Sequence, residues 1–189
     1  MKLRKLSPTE YLLYAGIVAL GIALDQLTKH LAVKLLAPID TFPIIRDVLH
    51  LTYKENPGAA FGMLQDNRWV FLSISTVALI AMAFYLFSGL SEGILSGIAL
   101  SMLISGGIGN MIDRLAIGYV VDFIDFRLIN FAIFNGADSF VCVGAGLLIL
   151  AQVLAIVKEK KEEKVNRGYH AFKERGLLSR RKASRRGNT

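Results

Sequence analysis

The feature that most constrains the fold of this chain is a stretch of 19 residues without a charged side chain, Trp69 to Phe87. At the helical rise of about 1.5 Å per residue, this stretch is about 28 Å long, which matches the hydrocarbon core of a bilayer. Hydrophobic residues make up 53% of the chain and the mean hydropathy is +0.48, which is high for a soluble domain. We therefore expect the chain to fold in a membrane.

Three further segments are long and apolar enough to cross a bilayer. The predicted fold class is an all-α integral membrane protein with four transmembrane helices, at about residues 11–36, 69–87, 93–112 and 138–157. The third segment has a small residue at every fourth position, a spacing that lets neighbouring helices approach closely. These small residues are Gly93, Gly97, Ser101, Ser105 and Gly109. As an alternative, the first segment is a signal peptide that is cleaved near Gly21 or Ala23.

The charges separate the basic ends of the chain from its middle. Residues 158–189 hold 12 Lys and Arg against 4 acids, residues 1–10 hold 3 against 1, and residues 11–157 hold 7 against 10. Basic ends beside apolar spans are typical of cytoplasmic termini and argue against nucleic-acid binding. We expect a membrane domain at 1–158 and a disordered, basic cytoplasmic tail at 159–189. The tail is either attracted to the lipid surface or a plain retention charge.

With both termini in the cytoplasm, the two longer loops face outward. These are residues 37–68 and 113–137, and each contains a segment rich in β-branched and aromatic residues. Val48 to Tyr53 and Tyr119 to Phe126 are therefore predicted strands. The fold should include a small extracytoplasmic region that contains β-structure.

Ionisable groups at membrane depth are costly and are usually paired, hydrated or functional. Asp25 and Lys29 stand four residues apart, the spacing at which opposite charges meet on one helix face. A structural ion pair is the favoured interpretation for them. Asn110 and Arg114 have the same spacing, and they either hold the carbonyls of a substrate or cap a helix end.

Two acidic residues near the membrane surface are candidates for chemistry. Asp122 lies in an apolar predicted strand, on the face opposite Asp125. Asp138 opens the fourth span, where a lone carboxylate would be interpreted as a helix cap. Two carboxylates beside apolar walls share one proton, because the charge of one disfavours the charge of the other. Aspartyl hydrolysis requires that shared proton.

Other hydrolase chemistries fit the sequence less well. The three histidines, His30, His50 and His170, form no zinc-binding pair at helical spacing. No histidine falls inside the second to fourth spans to activate a serine such as Ser105, which leaves Lys29 as the alternative base for that route. The sequence therefore argues against a metalloprotease.

Taken together, the polar motifs resemble lipoprotein signal peptidase, or type II signal peptidase, a bacterial family of four-helix membrane aspartyl peptidases. Five blocks match in order and with the expected spacing over about residues 10–158. The blocks are Asp25-Gln26-Leu27-Thr28-Lys29, Asn56-Pro57-Gly58-Ala59-Ala60-Phe61, Gly109-Asn110-Met111-Ile112-Asp113-Arg114, Val120-Val121-Asp122-Phe123 and Phe134-Asn135-Gly136-Ala137-Asp138-Ser139. The chain departs from the family at Gly136, where a β-branched residue is more usual, and in its long basic tail.

The resemblance implies a function and a set of site residues. It implies that Asp122 and Asp138 are the catalytic pair, and that the supporting residues are Asn56, Asn110, Arg114, Asn135, Asp25 and Lys29. The implied substrate is a prolipoprotein carrying a diacylglyceryl group, cut just before its lipidated cysteine at the outer face of the bacterial inner membrane. The resemblance also implies inhibition by cyclic peptides of the globomycin type, and it implies neither a metal nor an organic cofactor. We expect the protein to contact membrane lipids and to act as a monomer.

Two other functions are compatible with the same residues. In a transporter or proton channel, Asp25, Asp122 and Asp138 would form a relay through the helix bundle. In a non-catalytic scaffold that binds lipoproteins, Asp122 would serve as a turn residue and Asp138 as a cap. A cleavage assay separates both alternatives from a peptidase.

Overall fold

The structure is a computed structural model of the 189-residue chain, and it describes residues 5–58, 68–91 and 93–186. The elements in chain order are α1 (Pro8–Leu36), β1 (Thr41–Ile45), β2 (Leu49–Asn56), α2 (Arg68–Phe87), α3 (Gly93–Ala116), β3 (Val120–Phe126), a short 3-10 helix (Arg127–Ile129) and α4 (Gly136–Arg186). The chain divides into two units, Met1–Ile149 and Leu150–Thr189. Ala59, Ala60 and Phe61 of the second motif lie outside the described residues.

The structure is mostly helical, and three of its helices are long and apolar enough to cross a membrane. These spans are Pro8–Leu36, Gly93–Ala116 and Gly136–Lys164, while the apolar stretch Leu72–Phe87 of α2 is shorter. The predicted helical membrane fold is therefore confirmed with three candidate spans. A fourth span at α2 stays a prediction.

Sequence signals at the start of α1 explain where that helix begins. The Ser7 hydroxyl accepts a hydrogen bond from the Glu10 backbone N–H, and the Glu10 carboxylate accepts one from the Ser7 backbone N–H. This reciprocal pair satisfies amides that have no partner within the helix. Pro8 follows the cap, at a position where its missing N–H has no cost.

The small residues of α3 allow α1 to pack closely against it, as their spacing predicts. A Cβ atom at Gly97 would collide with the Tyr14 ring, and one at Gly109 would collide with the Asp25 carboxylate. Side chains from α1, α2 and α3, together with Leu6 just before α1, bury a common core that includes Tyr14. Its buried members are Leu6, Tyr14, Leu79, Leu86, Leu100 and Ile104.

The three strands form one antiparallel sheet in the order β1-β2-β3. The strands β2 and β3 confirm the two predicted ones, whereas β1 was missed because it is a short edge strand that contains Pro43. The sheet packs against the end of α1 through Val121, Ala32 and Leu36. This packing brings β3 next to the polar end of the helices.

The last helix runs further than the sequence predicted. We expected a span at 138–157 and disorder from residue 159, whereas α4 continues as a helix through Arg186. Residues with high helix propensity follow Val157, and two ion pairs at i,i+4 spacing, Lys158–Glu162 and Glu163–Arg167, support the helical conformation. The division into a domain at 1–158 and a cytoplasmic tail stays a prediction.

Candidate active site

The Asp122 carboxylate is buried, with 1% of the residue exposed, and two side-chain amides donate to it. Asn56 at the end of β2 donates from Nδ2 to Oδ2 at 2.8 Å. Asn135, which precedes α4, donates from Nδ2 to Oδ1 at 2.7 Å. The antiparallel register brings Asn56 beside β3, because Asn56 pairs with Val120 two residues before the aspartate. Each oxygen of Asp122 therefore has a neutral donor.

Asp138 lies in the first turn of α4 and does not cap that helix itself. The cap is Asn135, whose Oδ1 accepts from the Asp138 backbone N–H at 3.0 Å. The Asp138 Oδ2 atom in turn accepts from the Asn135 backbone N–H at 3.2 Å. The interpretation of Asp138 as a lone helix cap therefore does not hold, because the reciprocal pair places the aspartate three residues after the cap. Its other oxygen, Oδ1, accepts from Asn110 Nδ2 at 2.8 Å.

Asn135 joins the two carboxylates. Its side-chain amide donates to Asp122, and its backbone amide donates to Asp138. The residue is completely buried, so its position is fixed by packing as well as by these bonds. One residue therefore contacts both acids, although 16 positions of sequence separate them.

Lys29 connects the first helix to this site. Its Nζ atom donates to Asn110 Oδ1 at 2.8 Å, and it forms ion pairs at 2.9 Å with both Asp25 and Asp113. All three charged side chains are buried. The ion pair predicted at i,i+4 spacing is therefore present, and it belongs to a larger charged cluster that touches the site.

The two carboxylates of this cluster also hold backbone amides next to the candidate catalytic residues. Asp25 Oδ1 accepts from the Ala137 N–H at 2.9 Å, one residue before Asp138. Asp113 Oδ2 accepts from the Val121 N–H at 3.3 Å, one residue before Asp122. The cluster thus holds the backbone next to both acids.

Sequence reasoning gave no role to Asp113 or Gln26, although both lie in matched blocks. Gln26 Nε2 donates to Asp113 Oδ1 at 2.9 Å and to the Gly109 carbonyl at 3.2 Å. Gln26 lies in the first predicted span and Asp113 directly follows the third, and polar groups at such positions are costly unless they have a partner. The need for a partner was the signal that could have identified both residues.

Arg114 is buried and holds the turn that follows β2. Its Nη2 donates to the Gly58 carbonyl at 2.8 Å and its Nη1 to the Asn110 carbonyl at 3.3 Å. Within the turn, the Gly58 N–H donates to Asn56 Oδ1 at 3.1 Å. Because its Oδ1 is engaged there, Asn56 is oriented with its amide nitrogen toward Asp122. All eight predicted site residues are therefore brought to one end of the helices.

The environment of Asp122 changes its proton affinity. Burial raises the pKa of Asp122 to about 6, against its ordinary 3.8, and the negative charge of Asp138 adds to the rise. The hydrogen bonds from Asn56 and Asn135 act in the opposite direction without cancelling it. Asp122 can therefore hold or release a proton near neutral pH, as general acid–base chemistry requires.

On the other face of β3, Asp125 has a different environment. Thr52 Oγ1 donates to Asp125 Oδ2 at 2.8 Å, and Arg127 Nε donates to the same oxygen at 2.9 Å. Burial alone would raise the pKa of Asp125, but the bonds from Arg127 and Thr52 outweigh it and leave the pKa below its usual value. This carboxylate stays charged and joins strands of the sheet.

The structure also shows the surroundings of Lys29 and Ser105, the two residues of the alternative serine route, and of the groups that could bind a metal. The Lys29 ammonium is engaged by Asn110, Asp25 and Asp113. Ser105 instead lies where its Oγ would meet a Cβ at Gly21. Within residues 5–58, 68–91 and 93–186, no group of three or more His, Cys, Asp or Glu residues has a geometry that could hold a metal ion.

The chain is similar to proteins of one family. Residues 17–154 match the family described as Signal peptidase (SPase) II. The Lipoprotein signal peptidase of Caldanaerobacter subterraneus subsp. tengcongensis is 51% identical over 132 residues, which cover 70% of this chain and 90% of that protein. That of Brevibacillus brevis is 46% identical over 137 residues, covering 72% and 92%.

Two solved structures have the same fold as this chain. Each is described as a bacterial membrane enzyme structure obtained by the in meso method, and each superposes with a TM-score of 0.68. Their sequences are 32% and 33% identical to this chain. The alignments cover 81% and 80% of this chain and 92% and 97% of theirs.

Proposed function

This chain belongs to the signal peptidase II family and removes signal peptides from prolipoproteins, and from that premise we propose that it does so as an aspartic endopeptidase. Asp122 and Asp138 are the catalytic pair in this proposal. The observation that carries it is that Asn135 hydrogen-bonds both carboxylates. Two acids held by one residue, one of them buried, are arranged to share a proton.

In the proposed reaction, a water molecule lies between the two carboxyl groups. The ionised aspartate takes a proton from this water as its oxygen attacks the scissile carbonyl carbon. The protonated aspartate donates to the carbonyl oxygen, so that no full negative charge develops there. The tetrahedral intermediate then collapses, the C–N bond breaks and the amine leaves with a proton from the pair.

The supporting residues hold this pair in place. Asn56 and Asn135 orient Asp122, and Asn110 orients Asp138. Arg114 fixes the turn that contains Gly58 and leaves a positive charge near the pair. In the Michaelis complex, the same amides and the guanidinium are suited to hold substrate carbonyls.

The substrate in this proposal is a bacterial prolipoprotein that bears a diacylglyceryl group on cysteine and is cut just before that residue. The enzyme is a multi-pass bacterial membrane protein. We propose that α2 is its fourth span, that both termini are cytoplasmic and that the catalytic pair faces outward. A lipid anchor then confines the scissile bond to the membrane surface that holds the pair, which replaces part of the entropy cost of capture.

The same arrangement suggests how the enzyme is inhibited and assembled. A cyclic peptide of the globomycin type would occupy the space between Asp122 and Asp138 and displace the water. The eight site residues all come from one chain, so a monomer is sufficient for catalysis in this proposal.

The decisive experiment is cleavage of a diacylated prolipoprotein by purified Asp122→Asn and Asp138→Asn variants. Both variants should lose processing while still folding and unfolding in a single cooperative transition, because Asn keeps the size of Asp and one of its two acceptor oxygens. Asp47→Asn is the matched control, since Asp47 is 88% exposed in its side chain and lies in a turn. Normal cleavage by either site variant would overturn the proposed catalytic pair.

The proposed topology has its own test. A reporter fused after residue 189 that is active only outside the cytoplasm should stay silent. The same reporter inserted in the turn at Asp47, between β1 and β2, should be active. The reverse pattern would place the site on the cytoplasmic side.

A further inference from the structure

The Lys29 ammonium fixes the orientation of the Asn110 side-chain amide next to it. A lysine ammonium has three N–H donors and no acceptor. Its three donors are taken by Asp25, Asp113 and Asn110, at 2.9, 2.9 and 2.8 Å. Asn110 must therefore present its oxygen to Lys29, because its NH2 group would meet another donor. The Asn135 amide donates to the same Asn110 oxygen at 3.1 Å and reinforces this orientation.

The fixed orientation has a consequence at the other end of the Asn110 amide. With Oδ1 turned to Lys29, Nδ2 faces Asp138 and donates to its Oδ1 at 2.8 Å. The second oxygen of Asp138 accepts from the Asn135 backbone N–H. Donors to both oxygens favour the charged form of a carboxyl group. If the Asn110 amide turned over, its oxygen would face Asp138 and disfavour that charge.

Asp122 also accepts two hydrogen bonds, but its exposure differs from that of Asp138. It is 1% exposed, whereas Asp138 is only partly buried. Burial penalises the charged form and does so more strongly for the more buried acid. The two acids of the pair are therefore not equivalent.

We infer that Lys29, through the fixed amide of Asn110, makes Asp138 the charged member of the pair and leaves the shared proton on Asp122. This inference rests on the proposed function of the two aspartates. Lys29 is then a positioning residue that does not touch substrate. Asp138 accepts the proton from the attacking water, and Asp122 donates its proton to the carbonyl oxygen. On collapse of the intermediate, Asp138 gives a proton to the leaving amine while Asp122 recovers its own from the hydroxyl.

The charged groups near Asp138 are known from each element that surrounds it. From β3 comes the acid Asp122, and from α3 come Arg114 and, behind Asn110, Asp113. From α1 come Lys29 and Asp25. A test must therefore change the Asn110 orientation without changing the net charge of the cluster.

The double variant Lys29→Gln with Asp113→Asn meets that condition, because the cluster of Asp25, Lys29 and Asp113 keeps its net charge of −1 (from −1 + 1 − 1 to −1 + 0 + 0). A glutamine amide can donate or accept, so Asn110 is free to turn over. We expect the acid side of the kcat profile to move to higher pH by about one unit, the order of one charged hydrogen bond. On the acid limb of the profile, kcat should fall up to about tenfold with KM unchanged.

Two further variants keep the inference falsifiable. Lys29→Arg retains a group that can only donate, so the acid limb should stay at the wild-type pH even if the larger guanidinium lowers the rate. Asn110→Leu cannot donate to Asp138 and should produce the same upward shift as the double variant, even if the double variant fails to fold. A loss of rate that is uniform across pH would mean that Lys29 is only structural and would overturn the inference.

A measurement that needs no catalysis separates this inference from the proposed function. Infrared difference spectra at about pH 5 detect protonated carboxyl groups. We expect the Asp122→Asn variant to lose one such band and the Asp138→Asn variant to keep it. The opposite result would reverse the assignment even if both variants were inactive. If either variant cleaved substrate normally, the proposed function itself would fail.

Discussion

The two faces of β3 place aspartates only three residues apart in opposite electrostatic environments. Asp122 is 1% exposed and Asp125 is 8% exposed, so both are buried. The pKa of Asp122 is raised to about 6, whereas the pKa of Asp125 lies below its ordinary value. Burial acts in the same direction on both. What differs is the charge of the donors.

Asp122 receives two neutral amides, and the negative charge of Asp138 raises its pKa further. Asp125 receives a guanidinium and a hydroxyl. A charged donor compensates the desolvation of a carboxylate, while a neutral amide does so only in part. The comparison teaches that a carboxyl group can keep a pKa near neutral pH when neutral donors orient it and no positively charged donor compensates its charge.

The largest expected effect is on the catalytic rate, and it should appear only on the face of β3 that carries Asp122. Asp122→Asn should lower the rate of prolipoprotein processing by roughly 10²- to 10⁴-fold, because the acid–base group is lost. Asp125→Asn should keep the rate within about tenfold of wild type, since an amide oxygen still accepts from Thr52 or Arg127. Rates on purified protein check both. Equal losses in the two variants would break the distinction between the faces.

The next effect is on stability as a function of pH, and the two faces should give opposite signs. Asp122 binds its proton more tightly when folded, so its contribution is present below pH 3.8 and is lost as the pH rises through about 6. The rise of the Asp122 pKa from 3.8 to about 6 corresponds to about 3 kcal/mol in the free energy of unfolding. Asp125 has a lowered pKa, so its contribution is present above its ordinary value and is lost as the pH falls below it.

Thermal unfolding in detergent between pH 3 and 7 measures these two contributions. Asp122→Asn should gain stability over wild type as the pH rises from 4 to 7. Asp125→Asn should be less stable than wild type at pH 7, and the difference should shrink toward pH 3. Parallel curves for the two variants would contradict the assigned environments.

A smaller effect is expected from the hydroxyl that supports Asp125. Thr52→Val removes the donor at 2.8 Å from the carboxylate and should lower the free energy of unfolding by about 2 kcal/mol. Thr76→Val is the matched control, because the Thr76 hydroxyl bonds mainly to the Leu72 carbonyl of its own helix. Chemical or thermal unfolding should show a clear loss for Thr52 and little for Thr76. A stable Thr52 variant would mean that Arg127 alone holds Asp125.

The smallest expected effect concerns Gly136. This glycine is the first residue of α4, the helix that carries Asp138. A Cβ atom there would lie 3.7 Å from both Asp25 Oδ1 and Thr28 Oγ1, which is ordinary contact, and the residue is not among those with positive φ. Gly136→Ala should therefore stabilise the protein by about 0.4–1 kcal/mol without loss of processing.

Gly109→Ala provides the contrasting case, because Gly109 also lies beside the Asp25 carboxylate. Its added methyl group would collide with the Asp25 carboxylate, which should cost about 1–3 kcal/mol of stability. Unfolding temperatures of the two variants should move in opposite directions. A loss of stability in Gly136→Ala would mean that the turn before Asp138 needs its glycine.

The residues named from the sequence lie together in the structure, whereas the sheet was predicted only in part. Asp25, Lys29, Asp122 and Asp138 stood out because ionisable groups in apolar surroundings need partners. The site roles of Asn56 and Asn135 came from the family resemblance, and the catalytic roles stay a prediction. The strand β1 was missed, since Pro43 and a length of five residues give no clear alternating pattern. Taken as a lone residue, Asp138 was open to interpretation as the helix cap, whereas Asn135 caps the helix; the sequence did not separate them because both side chains can cap helices.

The sequence by itself determined that the chain belongs in a membrane and which polar side chains its apolar segments must accommodate. The length and hydropathy of a segment are local properties, and so is the spacing of four between Asp25 and Lys29. Only the tertiary structure decided that Asn135 contacts both acids, that Lys29 orients Asn110, and that Asp122 and Asp125 differ in pKa. These depend on donors that come from different helices and strands, and their distances are set by packing between elements.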